Sequence, residues 1–325
     1  MKIAVSIGDL NGIGLECFAK ALYKLDIPNI NPSFILFGPH RLIINYLDEL
    51  DINFEEIEKG IRINNYTVEI VNRNIDSSVE FGHITASAGE VAAHSIHDAV
   101  DFIKVGNADI LLTLPINKKA ISLSGFNFPG HTEMLGESFA SDPLMILFTE
   151  KLRVALITVH EPLRKVHEIL KPRLIEKKYT SFANSLRNDF GIRKPKIAIL
   201  GLNPHAGEQG NIGHEEVSYI NDTIEKLNIR YKDALASGPY PADGFFGFGH
   251  YKHHDGILAM YHDQGLIPLK LLANGGGVNF TANLPIIRVS PDHGTAYEIA
   301  GKNKADEQST FESITAAIRI LKNRS

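Results

Sequence analysis

Three histidines in this sequence each follow a short apolar run. His160 comes after VALITV, His205 after KIAILGLNP and His262 after ILAMY. In an α/β protein the carboxyl ends of the strands form the edge where ligands bind. Three neutral imidazoles with one open coordination position are the donor set of a catalytic zinc-type site. The pattern therefore indicates a divalent metal held by these three histidines.

A second interpretation stays open at this point. The chain contains 14 histidines, so some will follow strands by chance, and a lone histidine there more often caps a loop. For any one of the three that plainer interpretation is favoured, whereas for all three together the two are evenly balanced. Asp263 directly follows His262 and could orient its imidazole.

Two further features indicate anion binding. Residues 128–133, FPGHTE, form a tight turn that opens a helix, where the backbone N–H groups beside His131 and Thr132 suit a phosphate or carboxylate. Thr132 could equally serve as a plain helix cap. Lys270 and Arg288 lie in apolar runs, and a cation in such surroundings needs an anionic partner nearby.

The sequence lacks the common nucleotide-binding fingerprints. Gly8, Gly12 and Gly14 follow the first apolar run, but their spacing is not that of GxGxxG, and no P-loop is present. Any nucleotide cofactor must therefore be bound by a segment that lacks these motifs.

The elements that would position these residues alternate along the chain. Apolar runs predict strands at 3–7, 34–37, 68–71, 110–114, 144–148, 154–159, 197–200 and 257–260, and amphipathic patterns predict helices at 86–105, 172–190, 215–227 and 310–321. Strands that are apolar throughout, separated by helices, indicate an α/β fold with a sheet covered on both faces.

Composition narrows the class of protein. The 325 residues are 44% hydrophobic and 22% charged, with a net charge of −5 and a pI of about 6.3. This balance argues against binding to nucleic acid or to an anionic membrane. The single cysteine, Cys17, fits a reducing compartment, and no apolar stretch reaches membrane-spanning length. We expect a cytoplasmic protein.

Several segments together resemble one family, the 4-hydroxythreonine-4-phosphate dehydrogenases of vitamin B6 synthesis, in collinear order over the whole chain. These segments are Gly8-Asp9 with Gly12-Ile13-Gly14 and Glu16, Pro129–Glu133, Asn203–Glu208 with Gly210 and Gly213, Ala259–Leu266 with Pro268 and Lys270, Gly277–Asn279, Arg288, and Ser290–Ala296.

The resemblance implies the architecture and the assembly. It implies two three-layer α/β/α domains with a cleft between them, as in the isocitrate and isopropylmalate dehydrogenases. We expect residues 1–130 with 275–325 in one domain and residues 131–274 in the other. It also implies a homodimer with an active site shared between subunits. In that dimer we expect the metal ligands to be divided between the subunits, with His262 on one and His160 and His205 on the other.

The resemblance also implies the site residues and the reaction. A divalent metal (Zn, Mg or Co) would be held by His160, His205 and His262, and NAD or NADP would contact the loop His293, Gly294, Thr295 and Ala296. The substrate would be bound by His131, Thr132, Lys270, Asn279 and Arg288. Oxidation of 4-phosphohydroxy-L-threonine gives a β-keto acid, 2-amino-3-oxo-4-phosphooxybutanoate, which loses CO₂ to give 3-amino-2-oxopropyl phosphate. The candidate proton acceptors are Asp243 and Lys270.

This chain departs from the usual family pattern at Leu10-Asn11, Leu15, Leu114, Gly244 and Asn283, none of which is an implied metal or substrate position. Two alternatives therefore stay open. One is a paralogue acting on another hydroxy acid, such as erythronate 4-phosphate, threonate 4-phosphate or a cyclic diol acid. The other is a metal-dependent hydrolase or aldolase of sugar phosphates that uses the same three histidines.

Overall fold

The computed structural model describes residues 1–27, 30–127 and 130–325. Its strands are β1 (Lys2–Ser6), β2 (Ser33–Phe37), β3 (Glu55–Ile57), β4 (Gly60–Ile63), β5 (Tyr66–Val71), β6 (Ile110–Thr113), β7 (Leu144–Phe148), β8 (Arg153–Leu156), β9 (Lys196–Leu200), β10 (Leu235–Tyr240), β11 (Gly256–Ala259), β12 (Val278–Ala282) and β13 (Ile287–Pro291).

The helices alternate with these strands. They are α1 (Gly14–Lys24), α2 (His40–Glu49), α3 (Ala86–Lys104), α4 (Lys118–Leu123), α5 (His131–Ser138), α6 (Leu163–Ile169), α7 (Pro172–Asn188), α8 (Asn221–Arg230), α9 (Ala242–Gly247), α10 (His262–Ala273) and α11 (Gln308–Arg324). Every strand and helix expected from hydrophobic periodicity is present, with ends that differ by a few residues. The π-helical turn Glu216–Ile220 precedes α8, within the span predicted as one helix.

The chain forms two compact units. Unit 1 comprises residues 1–141 and 284–321, and unit 2 comprises residues 142–283 and 322–325. Compared with the boundaries expected from sequence, α5 lies in unit 1 and β12 in unit 2. The position of α5 follows from packing, because Met134 and Leu135 are buried in a core cluster with residues of β1, β2 and β6.

Unit 1 contains a mostly parallel sheet with the strand order β13-β6-β1-β2-β5-β4-β3. Only the β5-β4-β3 edge is antiparallel. One face carries Ala4 and Ile35 against the α3 residue Ile96. The opposite face carries Phe34, whose ring lies 5.6 Å from that of Phe18 in α1. Because successive strand residues point to opposite faces, helices cover both sides of this sheet.

Unit 2 has the strand order β10-β9-β11-β8-β7-β12. Strands β10, β9, β11 and β8 are parallel, whereas β7 and β12 are antiparallel to their neighbours. Ile257 and Ala259 face Leu266 of α10 in one core cluster. On the other face Gly256 lies under Phe182 of α7, so close that an added Cβ would be 2.5 Å from the ring. Unit 2 is therefore also three-layered.

The contact between α3 and α4 requires a glycine at position 89. A Cβ at Gly89 would lie 2.0 Å from the backbone oxygen of Ala120. We expect Gly89→Ala to lower the thermal midpoint by several degrees, because overpacking against backbone costs about 1–3 kcal/mol and outweighs the roughly 1 kcal/mol gained in helix propensity. Gly247→Ala is the control, since a Cβ there meets nothing within 4 Å. An unchanged midpoint for Gly89→Ala would contradict this packing.

Candidate functional site

The three predicted metal ligands all lie in unit 2, beyond the ends of neighbouring strands. β9, β11 and β8 are adjacent and parallel, so their carboxyl ends meet at one edge of the sheet. His160 lies four residues beyond the end of β8, His205 five residues beyond the end of β9, and His262 is the first residue of α10 after β11. His160 and His205 are exposed and His262 is partly buried.

Two of these imidazoles lie next to each other. The ring centres of His160 and His262 are 6.0 Å apart. Two imidazoles that bind one tetrahedral metal with Zn–N distances of about 2.0–2.1 Å have ring centres roughly 5–6 Å apart. The observed separation is thus close to what shared ligation requires, and it comes from residues of one chain.

The orientation of the His262 imidazole is set by the next residue, Asp263, as expected from the sequence. Nδ1 of His262 is 2.8 Å from Oδ1 of Asp263. A carboxylate at this distance accepts the Nδ1–H and keeps the imidazole in the tautomer whose Nε2 lone pair is available to a metal. The expected contact between Asp263 and His262 is present.

Hydrogen bonds join the three histidine-bearing loops. The hydroxyl of Thr158 donates to the carbonyl of Met260 at 2.7 Å, which ties the His160 loop to the end of β11. Nε2 of Gln264 donates to the carbonyl of Gly201 at 2.6 Å, and its Oε1 accepts from the backbone N–H of Met260. Sequence reasoning missed both residues, because a buried threonine and a helical glutamine carry no pattern of their own.

The segment that carries His205 has an unusual backbone. His205, Ala206, Gly207, Glu208 and Gln209 all have positive φ, at 53°, 50°, 78°, 41° and 56°. The left-handed conformation costs about 1–2 kcal/mol for each residue that is not glycine. Five residues in succession, four of them not glycine, persist in this conformation only where the surroundings hold them, and strain of this kind clusters at functional sites.

The described residues of one chain do not form a metal site with three ligands. Over residues 1–27, 30–127 and 130–325 no group of three or more His, Cys, Asp or Glu side chains is arranged to hold a metal ion. The donors nevertheless suit a metal ion such as Zn²⁺ or Co²⁺. His160 and His262 have a suitable spacing, and Nδ1 of His262 is bound by the carboxylate of Asp263.

Unit 1 contains a buried cation at one of the predicted substrate positions. Arg288 in β13 is only 1% exposed, and its Nε and Nη2 donate to Oγ1 of Thr113 at 3.1 and 2.6 Å. Burial lowers the pKa of Arg288 to about 9, while the nearby carboxylate of Glu133 opposes that shift. The guanidinium therefore keeps its charge at neutral pH in a place from which water is excluded.

His131 is the first residue of α5 and lies in the same electrostatic environment. Burial lowers its pKa well below the usual value, and the positive charges of Arg288 and Lys118 lower it further. Its imidazole is therefore neutral at pH 7. Thr132 follows it in the first turn and is partly buried. The start of the predicted turn, Phe128 and Pro129, lies outside the described residues.

The predicted cofactor loop contacts the turn after β1. The backbone N–H of Ile13 donates to the carbonyl of Thr295 at 3.1 Å, and a Cβ at Gly12 would lie 2.8 Å from that oxygen. A Cβ at Gly294 would meet nothing within 4 Å, so the backbone there is open to an approaching group. Ala296 has a φ of 44°, and His293 Nδ1 lies 3.0 Å from the carbonyl of Gly294.

Asp9 is a buried carboxylate beneath this loop that sequence reasoning did not assign. It is 1% exposed, and its Oδ2 accepts from the hydroxyl of Tyr297 at 2.7 Å. Burial raises the pKa of Asp9, and the bonds from Tyr297 and from the backbone of Asn11 lower it in part. Asp9 therefore holds Tyr297, the residue after the predicted cofactor loop, close to the end of β1.

The remaining predicted residues lie in unit 2. Lys270 is exposed on α10, eight residues or roughly 12 Å along the helix from His262. Asn279 is a partly buried residue of β12, and its Oδ1 accepts no hydrogen bond from the described residues. Asp243 is exposed in the first turn of α9.

Within the described chain, no helix has the length and apolarity needed to span a membrane.

The chain is similar over its whole length to several proteins named 4-hydroxythreonine-4-phosphate dehydrogenase. The chain is 42% identical to a 4-hydroxythreonine-4-phosphate dehydrogenase from a Sulfurihydrogenibium species over 100% of this chain and 99% of that protein. It is 40% identical to the enzyme of that name from Bacteroides thetaiotaomicron over 100% of this chain and 90% of that protein. The crystal structure of a 4-hydroxythreonine-4-phosphate dehydrogenase from Klebsiella pneumoniae aligns with a TM-score of 0.81 at 35% identity, covering 98% of each chain.

Two more distant structures bear on the fold. A terephthalate 1,2-cis-dihydrodiol dehydrogenase from Burkholderia xenovorans aligns at 26% identity with a TM-score of 0.63, over 98% of this chain and 97% of that one. An isocitrate dehydrogenase from Methylococcus capsulatus aligns at 12% identity with a TM-score of 0.54, over 99% of this chain and 86% of that one. The second likeness concerns the fold alone and confirms the expected fold class.

The sequence also matches a family model described as pyridoxal phosphate biosynthetic protein PdxA over residues 31–317. That match covers most of the chain, including β2 to β13 and every histidine discussed above. With the full-length identities to its relatives, it shows that this chain belongs to the PdxA family of pyridoxal phosphate biosynthetic proteins.

Proposed function

We propose that this protein is an NAD(P)-dependent 4-hydroxythreonine-4-phosphate dehydrogenase that uses a divalent metal. The full-length identity of 40–42% to enzymes of that name carries the proposal. Two observations of this structure support it: an imidazole pair spaced for metal ligation and a buried arginine suited to an anionic substrate. The product, a β-keto acid, would then lose CO₂ to give 3-amino-2-oxopropyl phosphate.

His160, His205 and His262 would hold the metal. Imidazole donors favour zinc or cobalt over magnesium, which prefers oxygen ligands. When bound, such a metal supplies Lewis acidity, which lowers the pKa of the substrate hydroxyl and polarises the developing carbonyl. Asp263 keeps His262 in the tautomer that this role needs.

His131, Thr132 and Arg288 would bind an anionic group of the substrate. The guanidinium offers a charged fork of donors, and the neutral His131 donates a hydrogen bond without adding a charge to be desolvated. Lys270 and Asn279 remain predicted substrate contacts in unit 2. Positioning of this kind would fix the orientation of the C3–H bond of the substrate relative to a bound nicotinamide cofactor.

The loop from His293 to Ala296 would contact NAD or NADP, and the open backbone at Gly294 suits close approach of a phosphate or ribose. The hydroxyl proton must pass to a base, for which Asp243 and Lys270 remain the candidates. A cytoplasmic location also remains a prediction.

A nicotinamide absorbance assay with a panel of substrates tests this function. We expect NADH or NADPH to form fastest with 4-phosphohydroxy-L-threonine, and more slowly with erythronate 4-phosphate, threonate 4-phosphate and cyclic diol acids. A clear preference for one of the other substrates would assign the chain to a paralogous activity. Release of phosphate or aldehyde with no reduced nicotinamide would favour the hydrolase or aldolase instead.

A homodimer with a shared site would supply the third metal ligand. His160 and His262 are neighbours within one chain, which favours a partition in which His205 comes from the other subunit. This division of the ligands differs from the one expected from the sequence, which placed His160 and His262 on different subunits. Helix α10, which begins at His262, exposes Ile267 (59%) and Leu271 (80%) one turn apart, an apolar face suited to a second copy.

Subunit mixing tests this partition. His205→Ala and His262→Ala subunits, each inactive alone, should recover roughly a quarter of the unaltered activity after random exchange, because half the dimers are mixed and each has one complete site of two. His160→Ala mixed with His262→Ala is the matched control, and it should recover nothing, because both losses fall on the same side of the site. Recovery in the control would favour the earlier partition, whereas no recovery in either mixture would contradict a shared site.

The buried arginine contributes to both stability and binding. We expect Arg288→Met to lower the thermal midpoint of the ligand-free protein, because the buried Oγ1 of Thr113 loses the guanidinium that donates to it. The KM for the phosphorylated substrate should rise about ten- to a hundredfold, as expected when a charge-assisted bond is lost, while the KM for NAD⁺ stays the same. Arg288→Lys is the control, since it keeps the charge and should recover part of the binding. A parallel rise in the KM for NAD⁺ would place Arg288 on the cofactor side.

A further inference from the structure

The segment that presents His205 is wrapped around one buried carboxylate. Glu216, at the start of the π-helical turn, is 2% exposed. Its Oε1 accepts the backbone N–H groups of Leu202 and Asn203, both at 2.8 Å. Its Oε2 accepts from Nδ2 of Asn203 at 2.9 Å. Both oxygens of this carboxylate therefore face donors from the chain that leads into His205.

The rest of the segment closes onto the same group. A Cβ at Gly201 would lie 3.2 Å from Oε1 of Glu216, and one at Gly207 would lie 2.6 Å from its Oε2. A Cβ at Gly213 would lie 2.4 Å from Nδ2 of Asn203. Glycine is needed at these points because the backbone passes directly over the carboxylate and its amide partner.

These contacts explain how the left-handed run from His205 to Gln209 is held. The run starts two residues after Asn203, whose backbone and side chain both bind Glu216, and Gly207 in the middle of the run contacts the same carboxylate. Without this anchor, the partly buried N–H groups of Leu202 and Asn203 would lose their acceptor, and the strained residues would relax to the right-handed region.

We propose that Glu216 is a positioning residue for the metal site, which fixes the direction of His205 by holding residues 201–213 around its carboxylate. It does not touch the metal or the substrate and acts only through the backbone. This inference rests on the metal site proposed above, and it assigns a role to a residue outside the three ligands and Asp263.

The substitution Glu216→Gln tests this role with almost no change in shape. An amide in either orientation places an NH₂ group against a donor, because both oxygens of Glu216 accept hydrogen bonds. Glu215→Gln is the matched control on the next residue. Glu215 accepts from Nδ2 of Asn203 through Oε2, and an amide there can still present its oxygen to that donor.

The measurement is Co²⁺ affinity of the metal-free dimer, determined by competition with a chromophoric chelator and by the visible absorption of bound Co²⁺. We expect Glu216→Gln to weaken binding about ten- to a hundredfold, as for other residues that orient metal ligands, and Glu215→Gln to change it less than threefold. Thermal midpoints of the metal-free variants within a few degrees of the unaltered protein would separate this effect from a loss of fold, and excess Co²⁺ should restore turnover of Glu216→Gln.

Three outcomes would overturn the inference. Unaltered affinity and spectrum in Glu216→Gln, in a protein whose binding is lost in His205→Ala, would refute the role of Glu216 and leave the metal site standing. Equal weakening by Glu215→Gln would show that charge on this segment matters and not the buried bonds. Absence of Co²⁺ binding by the unaltered protein would overturn both this inference and the proposed metal site.

Discussion

Parallel pairing of β9, β11 and β8 is the constraint on which the rest of unit 2 depends. Because the three strands run the same way and lie side by side, the turns that follow them share one edge, however far apart they are in sequence. The buried apolar strands fix that edge, since each is covered by helices on both faces. The loops are then free to carry polar residues, and three of them carry histidine.

Loops on a rigid edge still need internal support, and here buried hydrogen bonds provide it. Thr158 and Gln264 tie neighbouring loops together through main-chain carbonyls, and Glu216 holds a backbone that would otherwise relax. Unit 1 uses the same principle with a different chemistry. There Arg288 is kept charged inside the sheet, beside a neutral His131, which favours an anionic ligand over solvent.

Periodicity predicted eight of the thirteen strands and four of the eleven α-helices among the described residues, because buried strands and long amphipathic helices leave strong patterns. The histidines at strand ends were identifiable for the same reason, since their position relative to a strand is readable from sequence. The left-handed run after Asn203 and the role of Glu216 were not, because they depend on tertiary hydrogen bonds between residues with no periodic pattern. The unit boundaries also required the packing of α5 to be known.

We infer that each divalent metal is bound by His160 and His262 of one subunit and by His205 of the other. X-ray absorption spectroscopy of the protein loaded with Co²⁺ or Zn²⁺ tests this ligand set, because multiple scattering from imidazole rings counts histidine ligands. We expect three imidazoles at about 2.0–2.1 Å, with the remaining coordination from oxygen. A first shell of oxygen atoms with one imidazole or none would contradict it.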